Sequence, residues 1–282
     1  MRLQRVKTII TGASGGIGRV ITFRFLREGA LVLAVARNSE DLSELRTAAQ
    51  NEGSSLTTHA ADVSRMSDVA SLMEATHRLW NGGTEVLINA AGIYGPKNVL
   101  EKTSPEAWLK TIMVNLYGTM LMTRAVLPNM KKQKKGTVIN FSGGGEGAFP
   151  RFSAYAASKG GIVRFTESVA EEVKEYGITM NAIAPGAVNS RLLDEALLAG
   201  RGKVGEATYQ KLLKQKEEGG VSPERAAELC VFLASSGQFT GKVWSAVWDD
   251  VKSAKRHAKD IMATDIYTYR RIKPSDRGYD WK

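Results

Sequence analysis

Short apolar runs alternate with longer segments of helical periodicity along most of the chain. The first two runs are VKTIIT at 6–11 and ALVLAVA at 30–36, and a segment with apolar residues every three or four positions follows each of them. Apolar runs of about four to eight residues are typical of buried strands, and the intervening segments are typical of amphipathic helices. The alternation predicts a single α/β domain with a doubly wound parallel sheet flanked by helices.

Two parts of the chain depart from this alternation. Residues 190–220 contain two amphipathic pieces around the glycine-containing break AGRGKVG. An insertion of this kind after a late strand is typical of a loop that closes over a pocket, so we expect a substrate lid. The alternation resumes with SPERAAELCVFLASS and ends with the strand-like TGKVWSAVW. We therefore predict a catalytic domain over 1–250 and a basic, aromatic-containing extension over 251–282.

Charge and composition narrow the function classes. The chain of 282 residues carries a formal net charge of +10. A basic balance suits anionic ligands, but no nucleic-acid-binding motif accompanies it. No apolar stretch approaches the roughly 18 residues that a membrane span needs, and the one cysteine cannot form an intramolecular disulfide. The three histidines lack metal-ligand spacing. We expect a cytoplasmic protein without a metal, nucleic-acid or membrane partner.

The strongest local motif is TGASGGIG at residues 11–18, which follows the first predicted strand and opens a helix. Its glycines permit a tight turn and let a pyrophosphate approach backbone N–H groups at the helix N-terminus. The spacing is looser than G-x-G-x-x-G, and glycine-rich turns without a ligand also occur. The motif predicts a dinucleotide site that includes Gly12, Ser14, Gly16, Ile17 and Gly18.

The end of the second predicted strand bears on which dinucleotide binds. An acidic residue there accepts hydrogen bonds from the ribose of NAD, whereas an arginine accommodates the 2′-phosphate of NADP. The sequence reads LAVARNSED, with Arg37 and Asn38 at the decisive positions. Arg37 as an ordinary surface arginine is the alternative. We favour NADP as the cofactor, with NAD as the second choice.

A tyrosine and a lysine stand four residues apart in SAYAASK, at positions 155 and 159. On a helix this spacing places both side chains on one face. An ammonium about 4 Å from a phenol is worth roughly 4 kcal/mol at an effective dielectric near 20. That is about three pKa units, enough to bring a phenol near the neutral range where general acid–base catalysis works best. The pair alone fits an ordinary surface helix equally well.

Several further motifs occur in a fixed order. They are Asp62-Val63 after the third predicted strand, NAAG at 89–92, Asn115, Ser142, YAASK at 155–159 and PGAVNS at 185–190. With TGASGGIG, they make the chain resemble the short, single-domain branch of the short-chain dehydrogenase/reductase family over roughly residues 5–245. The resemblance includes the thirteen-residue spacing from Ser142 to Tyr155. It implies a Rossmann-type fold, NAD(P)-dependent oxidoreductase activity and a homodimer or homotetramer.

The resemblance implies a role for each motif residue. Tyr155 would be the general acid or base, and Lys159 would lower the pKa of Tyr155 and bind the nicotinamide ribose. Ser142 would hold the substrate oxygen, and Asn115 would kink its helix and position a water of a proton relay.

The resemblance also implies cofactor contacts at the ends of later strands. Asp62 would contact the adenine, the segment 89–92 would line the ribose, and Val188 with Ser190 would hold the nicotinamide carboxamide. The expected cofactor set is Gly12, Ser14, Gly16, Ile17, Gly18, Arg37, Asn38, Asp62, Val63, Asn89, Ala90, Gly92, Tyr155, Lys159, Pro185, Gly186, Val188 and Ser190.

Two regions depart from the family pattern. Three glycines follow Ser142, and about thirty residues follow the last predicted strand, including DIYTYRRIKPSDRGYDWK. This tail either docks, on a neighbouring subunit or over its pocket, or is partly disordered, and its aromatic residues favour docking.

We therefore predict an NADP-preferring oxidoreductase that interconverts a carbonyl and a secondary alcohol. The alternative is a catalytically idle dinucleotide-binding regulator or scaffold. The identity of the small-molecule substrate stays open.

Overall fold

Parallel strands build one central sheet. The computed structural model describes residues 1–143 and 147–280, and within them the sheet has 7 strands in the order β3-β2-β1-β4-β5-β6-β7. The strands are β1 Lys7–Thr11, β2 Leu31–Ala36, β3 Thr57–Ala60, β4 Val86–Asn89, β5 Gly136–Phe141, β6 Ile178–Ala184 and β7 Val243–Ser245. Every neighbouring pair is parallel. The predicted doubly wound α/β fold is confirmed.

Helices connect the strands and cover both faces of the sheet. They are α1 Gly16–Arg27, α2 Ser39–Asn51, α3 Met66–Trp80, α4 Pro105–Ile112, α5 Gly118–Gln133, α6 Ser153–Val173, α7 Arg191–Ala199, α8 Arg201–Val204, α9 Glu206–Glu218, α10 Pro223–Ser236, α11 Val251–Arg256 and α12 Ala258–Ala263. Met113–Tyr117 forms a π-helical turn between α4 and α5. Among the described residues, no helix combines the length and the apolar character that crossing a membrane requires.

Consecutive side chains of β1, β2, β4 and β5 enter two separate cores. Ile10 packs in the core that contains α1, α2 and α10, whereas Ile9 packs in the core that contains α3, α5 and α6. Strand side chains alternate between faces, so a sheet covered on both sides needs uninterrupted apolar runs. This is why the strands read as VKTIIT and ALVLAVA in the sequence.

The insertion after β6 folds into α7, α8 and α9 and packs through a small core of its own. Phe152, at the start of α6, is buried there with Leu193 and Ala196 of α7, Val204 of α8 and Leu212 of α9. This core also contacts the partly buried Tyr155. The insertion therefore lies against the predicted catalytic tyrosine.

The C-terminal segment packs on the edge of its own sheet. The backbone N–H of Val243 in β7 donates to the carbonyl of Tyr267 at 2.7 Å, and the Tyr267 ring lies 4.9 Å from that of Trp244. Arg164 of α6 donates to the carbonyl of Tyr269 at 2.7 Å. The segment up to Tyr269 therefore packs on its own chain, and the expected docking on a neighbouring subunit or over a pocket stays a prediction. Trp281 lies outside the described residues.

Candidate active site

The predicted site residues gather at the carboxyl edge of the sheet. Strands β1, β2, β4 and β5 end at Thr11, Ala36, Asn89 and Phe141, each just before or at a predicted site residue. The chain moves from β1 outward to β2 and β3 and then returns to β4 on the other side of β1. Such a switch point opens a crevice at the carboxyl ends of the strands, where doubly wound folds bind ligands.

The glycine-rich turn leaves its backbone open to an anion. Gly12 has φ +67°, and a Cβ there would lie 2.8 Å from the backbone nitrogen of Ala91. Nothing lies within 4 Å of a Cβ built at Gly15. The first turn of α1 has no acidic residue and no side-chain cap, so its N–H groups remain available. The turn fits a pyrophosphate, as the sequence motif predicts.

Three of the predicted adenosine-side residues share one corner of this crevice. Arg37 is exposed at the end of β2, and the Asn38 side chain caps α2 by accepting from the backbone N–H of Glu40 at 2.7 Å. Burial opposes ionisation of Asp62, but hydrogen bonds from Ser64 and the charge of Arg37 keep its pKa below the usual value. Arg37 and Asp62 are therefore electrostatic neighbours.

Other predicted cofactor residues have structural contacts of their own. Asn89 donates to the side-chain oxygen of Asn140 at 2.9 Å, which links β4 to β5. The Val63 side chain is buried against Gly118, where an added Cβ would lie 2.7 Å from Val63 Cγ2. A Cβ at Gly16 would lie 3.7 Å from the Cβ of Ser190, so the loop after β6 reaches the glycine turn. That loop contains Pro185, Gly186 and the buried Val188.

Asn115 occupies the π-helical turn and fixes the loop after β4. Its Oδ1 accepts from the N–H of Ile93 at 2.8 Å, and its Nδ2 donates to the carbonyl of Ile93 at 2.9 Å and to Ser158 Oγ at 2.9 Å. The predicted kink at Asn115 therefore takes the form of a π turn. A Cβ at Gly92 would lie 3.3 Å from Asn115 Oδ1 and 3.7 Å from Lys159 Nζ, so a larger residue there would press against the Asn115 side chain.

Ser142, Tyr155 and Lys159 lie together between β5 and α6. Ser142 Oγ donates to the carbonyl of Lys159 at 3.4 Å, and Lys159 Nζ donates to the carbonyl of Phe141 at 2.6 Å. The ammonium lies 5.6 Å from the centre of the Tyr155 ring. Residues 144–146, which include two of the three glycines after Ser142, lie outside the described residues.

The expected lowering of the Tyr155 pKa is wrong for this structure. Burial raises the pKa of Tyr155, and the nearby Tyr94 adds to the shift. Burial also lowers the pKa of Lys159, to about 8. The spacing argument assumed an ammonium directed at the phenol, whereas the ammonium here donates to a backbone carbonyl. Desolvation of the phenol then decides the direction.

Sequence reasoning missed an aromatic wall around Tyr155. The Tyr94 ring lies 4.7 Å from that of Tyr155 in an edge-to-face arrangement, and Phe149 stacks on Phe152 at 4.3 Å. Lys97 lies beside this wall, with Nζ 5.8 Å from the centre of the Tyr94 ring. The only sequence signal was position, because Tyr94 and Lys97 closely follow NAAG and Phe149 lies shortly before SAYAASK.

Comparison with known proteins gives consistent matches over most of the chain. The family model described as short chain dehydrogenase matches residues 7–198. D-beta-hydroxybutyrate dehydrogenase of Cupriavidus necator is 33% identical over 245 residues, covering 84% of this chain and 94% of that protein. The 3-oxoacyl-acyl-carrier-protein reductase FabG of Thermotoga maritima is 32% identical over 247 residues, covering 86% and 96%. The crystal structure of levodione reductase superposes with a TM-score of 0.78 at 29% identity, covering 89% and 99%.

Proposed function

This chain belongs to the short-chain dehydrogenase family, and we propose that it interconverts a carbonyl compound and a secondary alcohol with NADP as its preferred cofactor. Family membership makes it an oxidoreductase. The observation that carries the proposal is the meeting of a phenol, an ammonium and a hydroxyl at the end of β5, those of Tyr155, Lys159 and Ser142.

The ionisation of Tyr155 suits an acid better than a base. When bound, a nicotinamide ring supplies or accepts the hydride. Hydride addition to a carbonyl leaves negative charge on the oxygen, which needs donors already in place. Ser142 would donate a hydrogen bond to that oxygen and Tyr155 would protonate it. Because burial raises the pKa of Tyr155, its hydroxyl stays protonated at neutral pH, the form that reduction requires.

The remaining predicted residues would hold the cofactor. The open N-terminus of α1 would bind the pyrophosphate through Gly12, Ser14, Gly16, Ile17 and Gly18. Lys159 would bind the nicotinamide ribose, and Val188 with Ser190 would hold the carboxamide.

The test of the catalytic assignment is Tyr155→Phe, measured as NADPH-dependent turnover of a panel of ketones. We expect kcat to fall by about 100- to 10,000-fold, because the substrate oxygen loses its proton donor. NADPH should still bind, as followed by its fluorescence, because Tyr155 is only one of the expected cofactor contacts. Tyr176→Phe, which removes a hydroxyl near Lys131 on a distant surface, is the matched control and should leave turnover intact. Turnover by Tyr155→Phe at the wild-type rate would exclude Tyr155 as the acid.

The cofactor preference depends on Arg37. A guanidinium at the end of β2 can pair with a 2′-phosphate. We expect NADPH to bind more tightly than NADH, and Arg37→Ala to weaken NADPH binding at least 10-fold while leaving NADH binding within about 2-fold. Arg46→Ala, an exposed arginine on α2, is the control. Equal affinities of the wild type for both cofactors would refute the NADP preference.

Two further proposals concern assembly and location. The family resemblance implies a homodimer or homotetramer, to be measured by sedimentation, and the composition and cysteine content suggest a cytoplasmic location. NADPH binding without turnover of any carbonyl compound would instead favour a dinucleotide-binding scaffold.

A further inference from the structure

The wall around Tyr155 is apolar and aromatic on the side of the insertion. Tyr94 contacts Phe152 edge-on at 5.4 Å and lies 6.4 Å from Phe149. Leu193 and Leu197 of α7 extend the same cluster. Rings and branched side chains of this kind favour an apolar ligand body.

One cation stands at the edge of this apolar wall. The Lys97 side chain is only 12% exposed. Its Nζ donates to the carbonyl of Gly95 at 3.1 Å, and that is its one hydrogen bond among the described residues. Glu195 Oε2 lies 4.0 Å away, beyond hydrogen-bond distance. A largely buried ammonium with one neutral acceptor is poorly compensated.

The charges around Lys97 are mostly positive. Among the described residues, Glu195 is the one carboxylate whose charge acts on Lys97, and it is shared with Arg191, whose Nε lies 3.5 Å from it. Arg151 donates to the carbonyls of Gly202 and Lys203, which brings its guanidinium to the same rim. Burial lowers the pKa of Lys97, Glu195 raises it, and Lys203 lowers it further. An excess of cations at the mouth of a cleft raises the local concentration of anions.

Building on the proposed function, we infer that the substrate joins an apolar body about the size of one ring to a carboxylate, and that Lys97 binds the carboxylate. The Tyr94 ring has Lys97 Nζ at 5.8 Å and the Tyr155 ring at 4.7 Å, so a single aromatic side chain separates the ammonium from the proposed catalytic phenol.

A carboxylate matches the site better than a phosphate. Apart from Lys159, which is assigned to the cofactor, Lys97 is the one largely buried cation that the described residues place at this wall, because the Arg191 side chain is 74% exposed and Arg151 already donates to two backbone carbonyls. A single negative charge neutralises Lys97, whereas a dianion would leave charge uncompensated against an apolar wall.

The experiment compares ketones in pairs, each a carboxylate and its methyl ester, from 3-oxobutanoate to 4-acetylbenzoate. We expect the wild type to prefer the carboxylate of at least one pair. Lys97→Met should lower kcat/KM for that carboxylate by about 10- to 100-fold, mainly through KM, because a charge-assisted hydrogen bond is lost. The ester should change less than about 2-fold, and Lys97→Arg should restore much of the preference.

Two controls separate substrate binding from a structural role of Lys97. Lys110→Met removes an exposed lysine from α4 and should behave as the wild type. Glu195→Gln should leave the carboxylate preference intact or raise it, because it removes a competing anion. If Lys97 only ties α7 to the loop after β4, Glu195→Gln should impair both ketones as Lys97→Met does, and the inference is overturned.

Calorimetric titration of the same carboxylates in the presence of NADP⁺ distinguishes this inference from the proposed function. Carboxylate binding that Lys97→Met weakens, without turnover of any ketone, would support the anion site and reject the proposed reaction. Turnover of ketones without a preference for the carboxylate in any pair would support the proposed reaction and overturn the role of Lys97.

Discussion

A single buried ammonium makes the stability of the apoprotein depend on pH. Lys159 is 5% exposed, and burial lowers its pKa to about 8. In the unfolded chain a lysine titrates near 10.4. Between these values the unfolded state therefore binds more protons than the folded state, and the free energy of unfolding rises with pH. Below pH 8 both states are protonated, and the full cost of the buried charge is present.

We expect the free energy of unfolding of the wild type to rise with pH by an amount that Lys159→Met does not show. From pH 8 to pH 10 the wild type should gain about 2 to 3 kcal/mol of unfolding free energy relative to Lys159→Met. Tyr155 has a raised pKa and begins to oppose the trend only above about pH 10, where an unfolded tyrosine ionises. Urea denaturation of both proteins across this range measures the difference. If the unfolding free energies of the two proteins changed with pH in parallel, burial would not lower the pKa of Lys159 in the folded state.

Sequence spacing was enough to place the predicted site residues near one another but not to give their ionisation. Tyr155 and Lys159 share one face because spacing along a helix is local geometry, and Ser142 joins them from the end of β5. Their pKa values depend on burial by distant elements, such as Tyr94 after β4. Lys97 was missed for the same reason, since its burial and its ring contact come from tertiary packing.

At the scale of elements, the insertion is held by packing of one helix face. Leu193 of α7 is 1% exposed within the core that includes Phe152, whereas Leu198 of the same helix is 89% exposed. The apolar pattern predicted two amphipathic pieces here, and the structure has three helices. The third helix lies in the glycine-containing break between the two pieces, where the RGKV segment forms α8.

These two leucines give a matched pair. Leu193→Ala should destabilise the insertion by about 2 to 5 kcal/mol, because it leaves a cavity in a small core. Leu198→Ala should change stability by less than about 0.5 kcal/mol. Limited proteolysis within 200–220 measures opening of the insertion, and Leu193→Ala should be cut much faster. Equal cleavage of both variants would mean that the insertion is not held by this core.

Other element boundaries could be predicted from the sequence where the apolar residues follow a single periodicity. The strands around Ile9 and Ile10 were readable because both faces of the sheet are covered. The helical periodicity of the sequence continues from Pro105 to Met130, but a π turn at Met113–Tyr117 divides the helix. Hydrophobic spacing cannot report that turn, since it depends on side-chain bonds to Ile93 in another part of the chain.

At the scale of the whole molecule, the C-terminal segment completes the sheet edge. Lys242 is 4% exposed, and its Nζ donates to the carbonyls of Thr264 and Ile266 at 2.7 and 3.0 Å. Burial lowers the pKa of Lys242, while Asp265 and Glu167 raise it. The sequence indicated only that the aromatic residues favour docking. The position of the tail depends on the buried Lys242, and nothing in the sequence distinguishes this lysine from an exposed one.

Removal of residues 264–282 should therefore destabilise the entire domain. Lys242 would lose both carbonyl partners, and the Trp244 ring would lose Tyr267. We expect a loss of at least about 3 kcal/mol of unfolding free energy, measured by urea denaturation. Removal of 271–282 alone keeps these contacts and should cost little. The 264–282 truncation should cost less in a Lys242→Met background, because no buried charge is then left without partners. An equal cost in both backgrounds would show that Lys242 does not couple the tail to the sheet.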